Sequence, residues 1–236
     1  MVSAKGSPGV TTLGLAVAAA TRGLLVELDP AGGDVGCWGG PRGEPGLIRL
    51  AAVLRHAPPE ASVLEEHAAE VWPGVRVVWA PPEADRCEGI QVAIGGRLAP
   101  VLRTIEGWVV LDGGRWSPSQ PTVRRLEGCD VVAVVVSPTI AGVAHARAVV
   151  GGLREVMGSV PVVAVVVGDR GYRTDEVAEV VGVRTLGPVP WDARWAHVLL
   201  TVGASRLWQR SALARSVRTV VDDIAASTMS EAVGGG

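Results

Sequence analysis

Small residues dominate a short segment near the start of the chain, Ser3-Ala4-Lys5-Gly6-Ser7-Pro8-Gly9-Val10-Thr11-Thr12, and an Ala- and Leu-rich stretch follows it. Small residues let a backbone wrap closely around an anion, and the N–H groups at a helix N-terminus attract phosphate. The hydroxyls of Thr11 and Thr12 stand where such loops contact a magnesium ion and a phosphate oxygen. The segment therefore predicts a phosphate-binding loop that leads into a helix.

The lysine content of the chain points to the same segment. Lys5 is the one lysine among the 22 Lys and Arg residues. Lysine carries a compact ammonium on a slim stem, whereas arginine carries a broad planar fork, and a tight phosphate loop is a place where this difference matters. The general pattern for such loops is G-x-x-x-x-G-K-[ST]. Val10 occupies its lysine position, so the general pattern is not met.

The rest of the chain alternates short β-branched runs with longer Ala-, Leu- and Arg-rich segments. The runs are mostly apolar throughout, as in strands of a parallel sheet that helices cover on both faces. We predict strands at 24–28, 75–80, 108–111, 131–136 and 162–167, and helices at 11–21, 45–56, 61–71, 140–156, 174–181 and 205–226. The order predicts an α/β fold with a doubly wound, mostly parallel sheet.

Length and composition favour a single domain at residues 1–227, followed by a disordered tail at 228–236. Cys37, Cys87 and Cys129 form no C-x-x-C pair, which argues against a disulfide framework or a zinc site and fits a reducing cytoplasm. The net charge of -2 gives no global attraction to nucleic acid or acidic membranes. No apolar run reaches the ~20 residues of a membrane span, so we expect a cytoplasmic protein without membrane insertion.

The phosphate-loop segment resembles the deviant loop of the MinD/ParA ATPases, K-G-G-x-G-K-[ST]-T, which begins with a second, "signature" lysine. Five positions fit this pattern, namely Lys5, Gly6, Gly9, Thr11 and Thr12, whereas Ser7 and Val10 depart from it. The resemblance implies binding of ATP or ADP with Mg²⁺ by the loop residues Gly6, Ser7, Gly9, Val10, Thr11 and Thr12. It also implies a homodimer in which Lys5 reaches the nucleotide of the partner subunit and takes part in catalysis.

Two later segments resemble the family as well. Residues 25–34 are similar to its D-x-D-P segment, which implies that Asp29 or Asp34 lies near the γ-phosphate, where the family positions its attacking water. Glu27 stands where the family usually has aspartate. Residues 109–115 are similar to the Walker B strand, which implies that Asp112 faces magnesium together with Thr11.

The base-binding side is less well matched. Residues 165–170 stand where the family places its base-reading loop, but Gly168 replaces the typical asparagine, so the base stays open between adenine and another. Residues 186–192 closely match the family turn that contains Pro190, which the resemblance places against the nucleotide. Trp191 and Trp195 are near this turn and are candidates for stacking on a base. Only four residues precede Lys5, so we expect either a very short central strand or a true start upstream of Met1.

Three functions follow from these observations. Val10 donates no hydrogen bond to phosphate, and the loss of such a contact commonly costs orders of magnitude in rate, a few kcal/mol. We therefore expect a dimerising positioning or partitioning factor that binds ATP–Mg²⁺ weakly, with slow or no hydrolysis. The first alternative is a pseudo-ATPase scaffold, similar to the TadZ/CpaE group, that binds no nucleotide and localises a pilus, secretion or cell-division assembly.

The second alternative is a DNA-associated partitioning protein. A basic stretch near the C-terminus contains Arg206, Arg210, Arg215 and Arg218, and ParA-like proteins bind DNA nonspecifically through such stretches. Asp222 and Asp223 dilute the positive charge, which favours an ordinary solvated helix face.

Overall fold

A computed structural model describes residues 1–5, 9–38, 43–44, 46–118, 126, 128–158 and 160–234. The described residues form eight strands: β1 (Val2–Ser3), β2 (Leu24–Glu27), β3 (Ala69–Trp72), β4 (Val75–Val78), β5 (Val109–Asp112), β6 (Val132–Val136), β7 (Val162–Val167) and β8 (Thr185–Val189). Strands β3-β4-β2-β5 form one ladder and β1-β6-β7-β8 another. β3 pairs antiparallel with β4, and the remaining described pairs are parallel.

Backbone hydrogen bonds join the two ladders at β1. The Ser3 N–H donates to the Gly114 carbonyl at 2.8 Å, and the Ser3 carbonyl accepts from the Trp116 N–H at 2.9 Å. β1 is therefore central, and the strands follow the order β3-β4-β2-β5-β1-β6-β7-β8. In open α/β sheets ligands bind beyond the carboxyl ends of the strands, where the strand order reverses. Here that point is the carboxyl end of β1.

The helices cover both faces of this sheet. They are α1 (Val10–Thr21), α2 (Gly46–Val53), α3 (Ala61–Glu65), α4 (Ala84–Ile94), α5 (Leu98–Leu102), α6 (Ile140–Met157), α7 (Thr174–Val181), α8 (Ala193–Val202), α9 (Arg206–Gln209) and α10 (Ala212–Gly234). Alternate residues of β6 enter different cores: Val134 packs with the α6 side, whereas Val135 packs with α1 and α10. Burial on both faces explains the continuously apolar strands, since each buried valine contributes about 1.5–3 kcal/mol.

The predicted strands are present with slightly different ends, but one predicted helix is wrong in its second half. The segment 61–71 holds only the short helix α3, and the chain turns at Gly74 after strand β3. Glu70 is exposed between the half-buried Ala69 and Val71, which is the alternation of an edge strand, and the register with β4 shifts between Glu70 and the buried Trp72. The sequence analysis also missed β8, because Gly187 and Pro188 resemble a turn. Proline is tolerated there because β8 is an edge strand.

The C-terminal region differs from its prediction in two ways. The helix predicted at 205–226 is broken: α9 ends at Gln209, and α10 begins after the buried residue Ser211, whose hydroxyl accepts from the Ala214 N–H at 3.0 Å. α10 then continues to Gly234, into the segment 228–236 that was predicted to be disordered. None of the helices in the described part of the chain combines the length and apolar character that a membrane span requires.

Candidate functional site

The predicted phosphate loop connects the central strand to the first turn of α1. Gly9 is the residue before α1 and has a left-handed backbone with φ 86°, which a side chain would strain. Its carbonyl accepts the Leu13 N–H at 2.8 Å and so begins the helix. Lys5 is exposed at the start of the loop. The predicted binding residues Gly6 and Ser7 lie outside the described residues.

Val10 is directed away from solvent at the beginning of α1. Its side chain is 7% exposed and belongs to the apolar core that also contains Val189 and Leu213. A valine in this environment contributes packing and offers no hydrogen-bond donor to a phosphate. The valine that stands in place of the phosphate-loop lysine is therefore a core residue.

Thr11 and Asp112, the two predicted magnesium residues, are brought together by the fold. Asp112 ends β5 and is 1% exposed, and its carboxylate accepts a hydrogen bond from the Gly114 N–H at 3.0 Å. Burial raises the pKa of Asp112, while the nearby Thr11 hydroxyl and the Gly114 N–H oppose the rise. One carboxylate and one hydroxyl are the hard oxygen donors that Mg²⁺ uses beside phosphate oxygens and water.

This donor set fits magnesium bound together with phosphates. Among the described residues no group of three or more His, Cys, Asp or Glu side chains is placed to hold a metal ion. Mg²⁺ commonly binds through one or two protein oxygens plus substrate phosphates, so a smaller donor set is sufficient. Thr11 and Asp112 are the residues that would hold it.

Asp29 lies beside Asp112 on the loop after β2. A Cβ atom added to Gly114 would come within 2.0 Å of the Asp29 Cγ, so the carboxylate rests directly on this second residue after β5. The Asp29 Oδ1 accepts the Ala31 N–H at 2.8 Å. Burial raises the pKa of Asp29, and the charges of Asp112 and Asp34 raise it further. A bound cation would relieve this repulsion.

Glu27 has a role that the sequence analysis did not assign. It is 1% exposed, and its carboxylate accepts three backbone N–H groups: Asp34 at 2.9 Å, Val35 at 3.0 Å and Ala80 at 2.9 Å. Burial raises the pKa of Glu27 to about 7, although the three hydrogen bonds favour its charged form. Glu27 thereby fixes the loop that carries Asp34 to the chain beyond β4. In the sequence, the signal that could have pointed to Glu27 was an acidic residue within an otherwise apolar strand.

The predicted base-binding side contains an apolar slot next to α1. The slot has a volume of ≈ 100 Å³, and its lining includes Thr12, Leu13, Val167, Pro190 and Trp191. The Trp191 ring is 61% exposed and lies 3.9 Å from the position of a Cβ on Gly9. Thr12 and Pro190 thus both line this slot, and their contact with a nucleotide stays a prediction.

The basic residues near the C-terminus are partly committed to local contacts. Arg206, Arg210 and Arg215 are exposed and Arg218 is half-buried. The guanidinium groups of Arg215 and Arg218 donate to the backbone carbonyls of Arg210 and Gln209 at the break between α9 and α10. These contacts fix the positions of two guanidinium groups and leave their charge unchanged.

Solved structures resemble this chain over almost its whole length. A ParA-family ATPase from Chlorobium tepidum TLS superposes with a TM-score of 0.74 at 18% identity, covering 92% of this chain and 93% of that chain. The cell division ATPase MinD of Pyrococcus furiosus also gives 0.74, at 15% identity, covering 95% and 98%. Cobyrinic acid a,c-diamide synthase from Mycobacterium smegmatis, solved with an ATP analog and magnesium, gives 0.62 at 17% identity, covering 94% and 92%.

Comparison at the level of sequence gives no relative. No protein-family model matches the chain, and no curated protein sequence matches it. The structural similarity at these identities defines the fold. The chain has the fold of the MinD/ParA-type P-loop ATPases, an α/β fold with a mostly parallel central sheet, as the sequence analysis predicted.

Proposed function

We propose that this chain is a MinD/ParA-type nucleotide-binding protein that positions or partitions a cellular cargo. It binds ATP–Mg²⁺ weakly, hydrolyses it slowly or not at all, and forms a homodimer around the nucleotide. The observation that carries this proposal is the Thr11 hydroxyl next to the buried Asp112 carboxylate at the N-terminus of α1. A buried carboxylate beside a hydroxyl and the anion-attracting end of a helix is suited to an Mg²⁺–phosphate ligand.

Different residues of the site would bind the phosphates, the magnesium ion and the nucleotide of a second subunit. The N-terminus of α1 provides N–H groups and a partial positive charge for phosphate oxygens. Thr11 and Asp112 would hold Mg²⁺, which supplies positive charge next to the phosphates. Lys5 is exposed at the edge of the site, where its ammonium is free to extend toward the nucleotide of a second subunit.

Hydrolysis is expected to be slow because of the residue at position 10. Asp29 or Asp34 would lie near the γ-phosphate and orient a water molecule, as the family resemblance implies. Burial and the neighbouring charges of Asp112 and Asp34 raise the pKa of Asp29. Val10, however, contributes no charge to offset the β- and γ-phosphates, so the transition state lacks a stabilising contact.

The proposal is tested by titrating ATP and ADP with Mg²⁺ into the purified chain. Tryptophan fluorescence reports binding, light scattering reports mass, and phosphate release over hours reports turnover. We expect saturable binding, an ATP-dependent doubling of mass and little phosphate release. Lys5→Ala should lose the dimer and retain binding, while Arg76→Ala, which removes an exposed charge on β4, should change neither.

A pseudo-ATPase scaffold is the second candidate function, and the burial of Val10 in the apolar core favours it. In that case the loop is a structural relic and the surface around it binds a protein partner. No binding of ATP or ADP at millimolar concentration would overturn the proposal above and support the scaffold. Rapid phosphate release would instead overturn the expectation of slow hydrolysis.

A further inference from the structure

The surface formed by α9 and the beginning of α10 concentrates positive charge in a chain that is otherwise acidic. Residues 193–221 contain five arginines and no Asp or Glu, whereas the remaining residues contain 17 Lys and Arg against 24 Asp and Glu. We propose that this surface, the basic face, binds a protein partner through a short acidic segment that also carries large apolar side chains. The basic face comprises Val202, Arg206, Leu207, Arg210, Arg215 and Arg218.

The four arginines of the basic face are not neutralised within the fold. In the part of the chain that the structure describes, none of them forms an ion pair with a carboxylate. Two aspartates follow on α10, but Asp223 pairs with Arg184 at 3.5 Å and Asp222 is exposed to solvent. Arg218 is half-buried and the other three arginines are exposed. Their charges therefore remain accessible to an anionic partner.

Two of the guanidinium groups are held in place before a partner binds. Arg218 Nη2 donates to the Gln209 carbonyl at 3.1 Å, and Arg215 Nη1 donates to the Arg210 carbonyl. Both bonds cross the break between α9 and α10. A guanidinium has five N–H groups, so each of these two keeps further donors for a carboxylate. Because the side chains are already ordered, binding an anion costs less conformational entropy.

Two large aliphatic side chains belong to the same surface. Leu207 is 68% exposed, and Val202, the last residue of α8, is 58% exposed. α9 is a single turn that buries only Trp208, and so Leu207 is displayed between the exposed Arg206 and Arg210. An apolar centre with charged groups around it is the arrangement of a protein interface, in which the rim is polar and arginine is enriched.

An acidic segment of a protein suits the basic face better than a nucleic acid does. A long polyanion would extend beyond the basic face and be repelled by the acidic remainder of the chain. A short segment stays within the Debye length, about 8 Å at physiological salt, and meets the arginines alone. Phosphates also offer nothing apolar to cover Leu207 and Val202. An amphipathic helix can bring Glu or Asp to the arginines and Leu to these two side chains at once.

The experiment measures the binding of labelled synthetic peptides to the full chain by fluorescence anisotropy, without nucleotide. The test peptide is a helix of about 15 residues with Glu and Leu on one face, and two control peptides replace either Leu by Gln or Glu by Lys. We expect a dissociation constant on the order of 10–100 µM for the test peptide, and at least about tenfold weaker binding of each control. Raising the salt from about 50 to about 300 mM should weaken the test peptide several-fold.

Substitutions in the protein connect this binding to the basic face. Arg206→Glu should weaken the test peptide by at least about fivefold. Arg103→Glu is its matched control, because it reverses an exposed charge at the end of α5 and should change nothing. Leu207→Ser should weaken the peptide by about fivefold, whereas Val92→Ser, at a valine that is 64% exposed on α4, should not. Circular dichroism confirms that each variant is folded.

Every outcome decides for or against the proposal. Equal binding of the peptide that lacks leucine, unchanged affinity in Leu207→Ser, or no binding of the test peptide at millimolar concentration would overturn it. Duplex DNA or phosphatidylglycerol vesicles that bind more tightly than the test peptide, and that lose affinity in Arg206→Glu, would assign the basic face to a nucleic acid or a membrane and overturn it as well. The basic face contains no residue of the nucleotide site, so none of these results bears on the proposed function.

Discussion

The carboxyl ends of β2 and β5 and the carboxyl ends of β7 and β8 border the same site but are built from different chemistry. At β2 and β5, the carboxylates of Glu27 and Asp112 are buried and hydrogen-bonded. At β7 and β8, the walls are aliphatic side chains and an exposed tryptophan. Ligand binding at the acidic end would therefore depend on individual charged and hydrogen-bonding atoms. Binding at the apolar end would depend on the buried area and the shape of the walls. Substitutions should have large effects at the first and smaller ones at the second.

The largest expected effect is at Asp112. Asp112→Asn keeps an oxygen that accepts the Gly114 N–H but removes the charge that would hold Mg²⁺. We expect ATP–Mg²⁺ affinity to fall by at least about 100-fold, roughly 3 kcal/mol, and calorimetry with and without EDTA measures it. The variant should also become insensitive to EDTA.

The matched control for Asp112 is Asp130→Asn. Asp130 is an exposed carboxylate that precedes β6, at the amino ends of the parallel strands and away from the site. The affinity of this variant should equal that of the wild type. If Asp112→Asn bound ATP–Mg²⁺ normally, the acidic end would not be the metal side of the site.

A second large effect is the pH dependence of stability through Glu27. Its pKa rises from 4.5 to about 7 on folding, so the folded state binds a proton more tightly than the unfolded state. The stabilisation is complete below pH 4.5 and is lost as pH rises through 7. We expect the free energy of unfolding to fall by about 2 kcal/mol between pH 5 and pH 7.5, measured by urea denaturation.

The variant Glu27→Gln isolates this contribution, because it keeps the size of the side chain and removes its titration. The decline of the unfolding free energy over the same pH range should be smaller in the variant than in the wild type. Parallel pH profiles for the two proteins would show that Glu27 does not change its protonation on folding.

Val10 is the first residue of α1, and its replacement tests whether the position belongs to the apolar core or to the phosphate side of the site. Val10→Lys should lower the free energy of unfolding by about 2 kcal/mol, because a charged group replaces a side chain that is 7% exposed. Thermal unfolding measures this loss, with Val10→Ala as the control for lost packing. A Val10→Lys protein with unchanged stability would place the position on the phosphate side and outside the core.

The smallest expected effect is at Thr12 in the apolar slot. Thr12→Val keeps the shape of the side chain and removes its hydroxyl, so ATP and GTP should each weaken by about threefold or less. Fluorescence titration with both nucleotides checks this. A loss above tenfold for one purine alone would mean that the apolar end also recognises its ligand through a specific hydrogen bond.

The sequence predicted the fold class, and it also singled out Thr11 and Asp112, because local patterns mark both. Apolar runs specify buried parallel strands. Asp112 is the last residue of β5 and Thr11 is the second residue of α1, so the ends of these elements indicate both residues. The role of Glu27 could not be predicted, because one of its donors, Ala80, is 53 positions away and meets it only in the folded chain. β8 was missed because its Gly187 and Pro188 are acceptable only at a sheet edge, and a sequence does not state which strand is outermost.

The two outer strands also have a consequence for how the protein behaves at high concentration. β3 is short, carries the exposed Glu70 and has an irregular register with β4, while the exposed Pro188 removes a backbone donor from β8. Charge, irregular pairing and proline are the features by which natural sheets avoid adding strands from neighbouring molecules. Filament growth and amyloid-like stacking through the sheet edges are therefore disfavoured, and ordered self-association is directed to other surfaces.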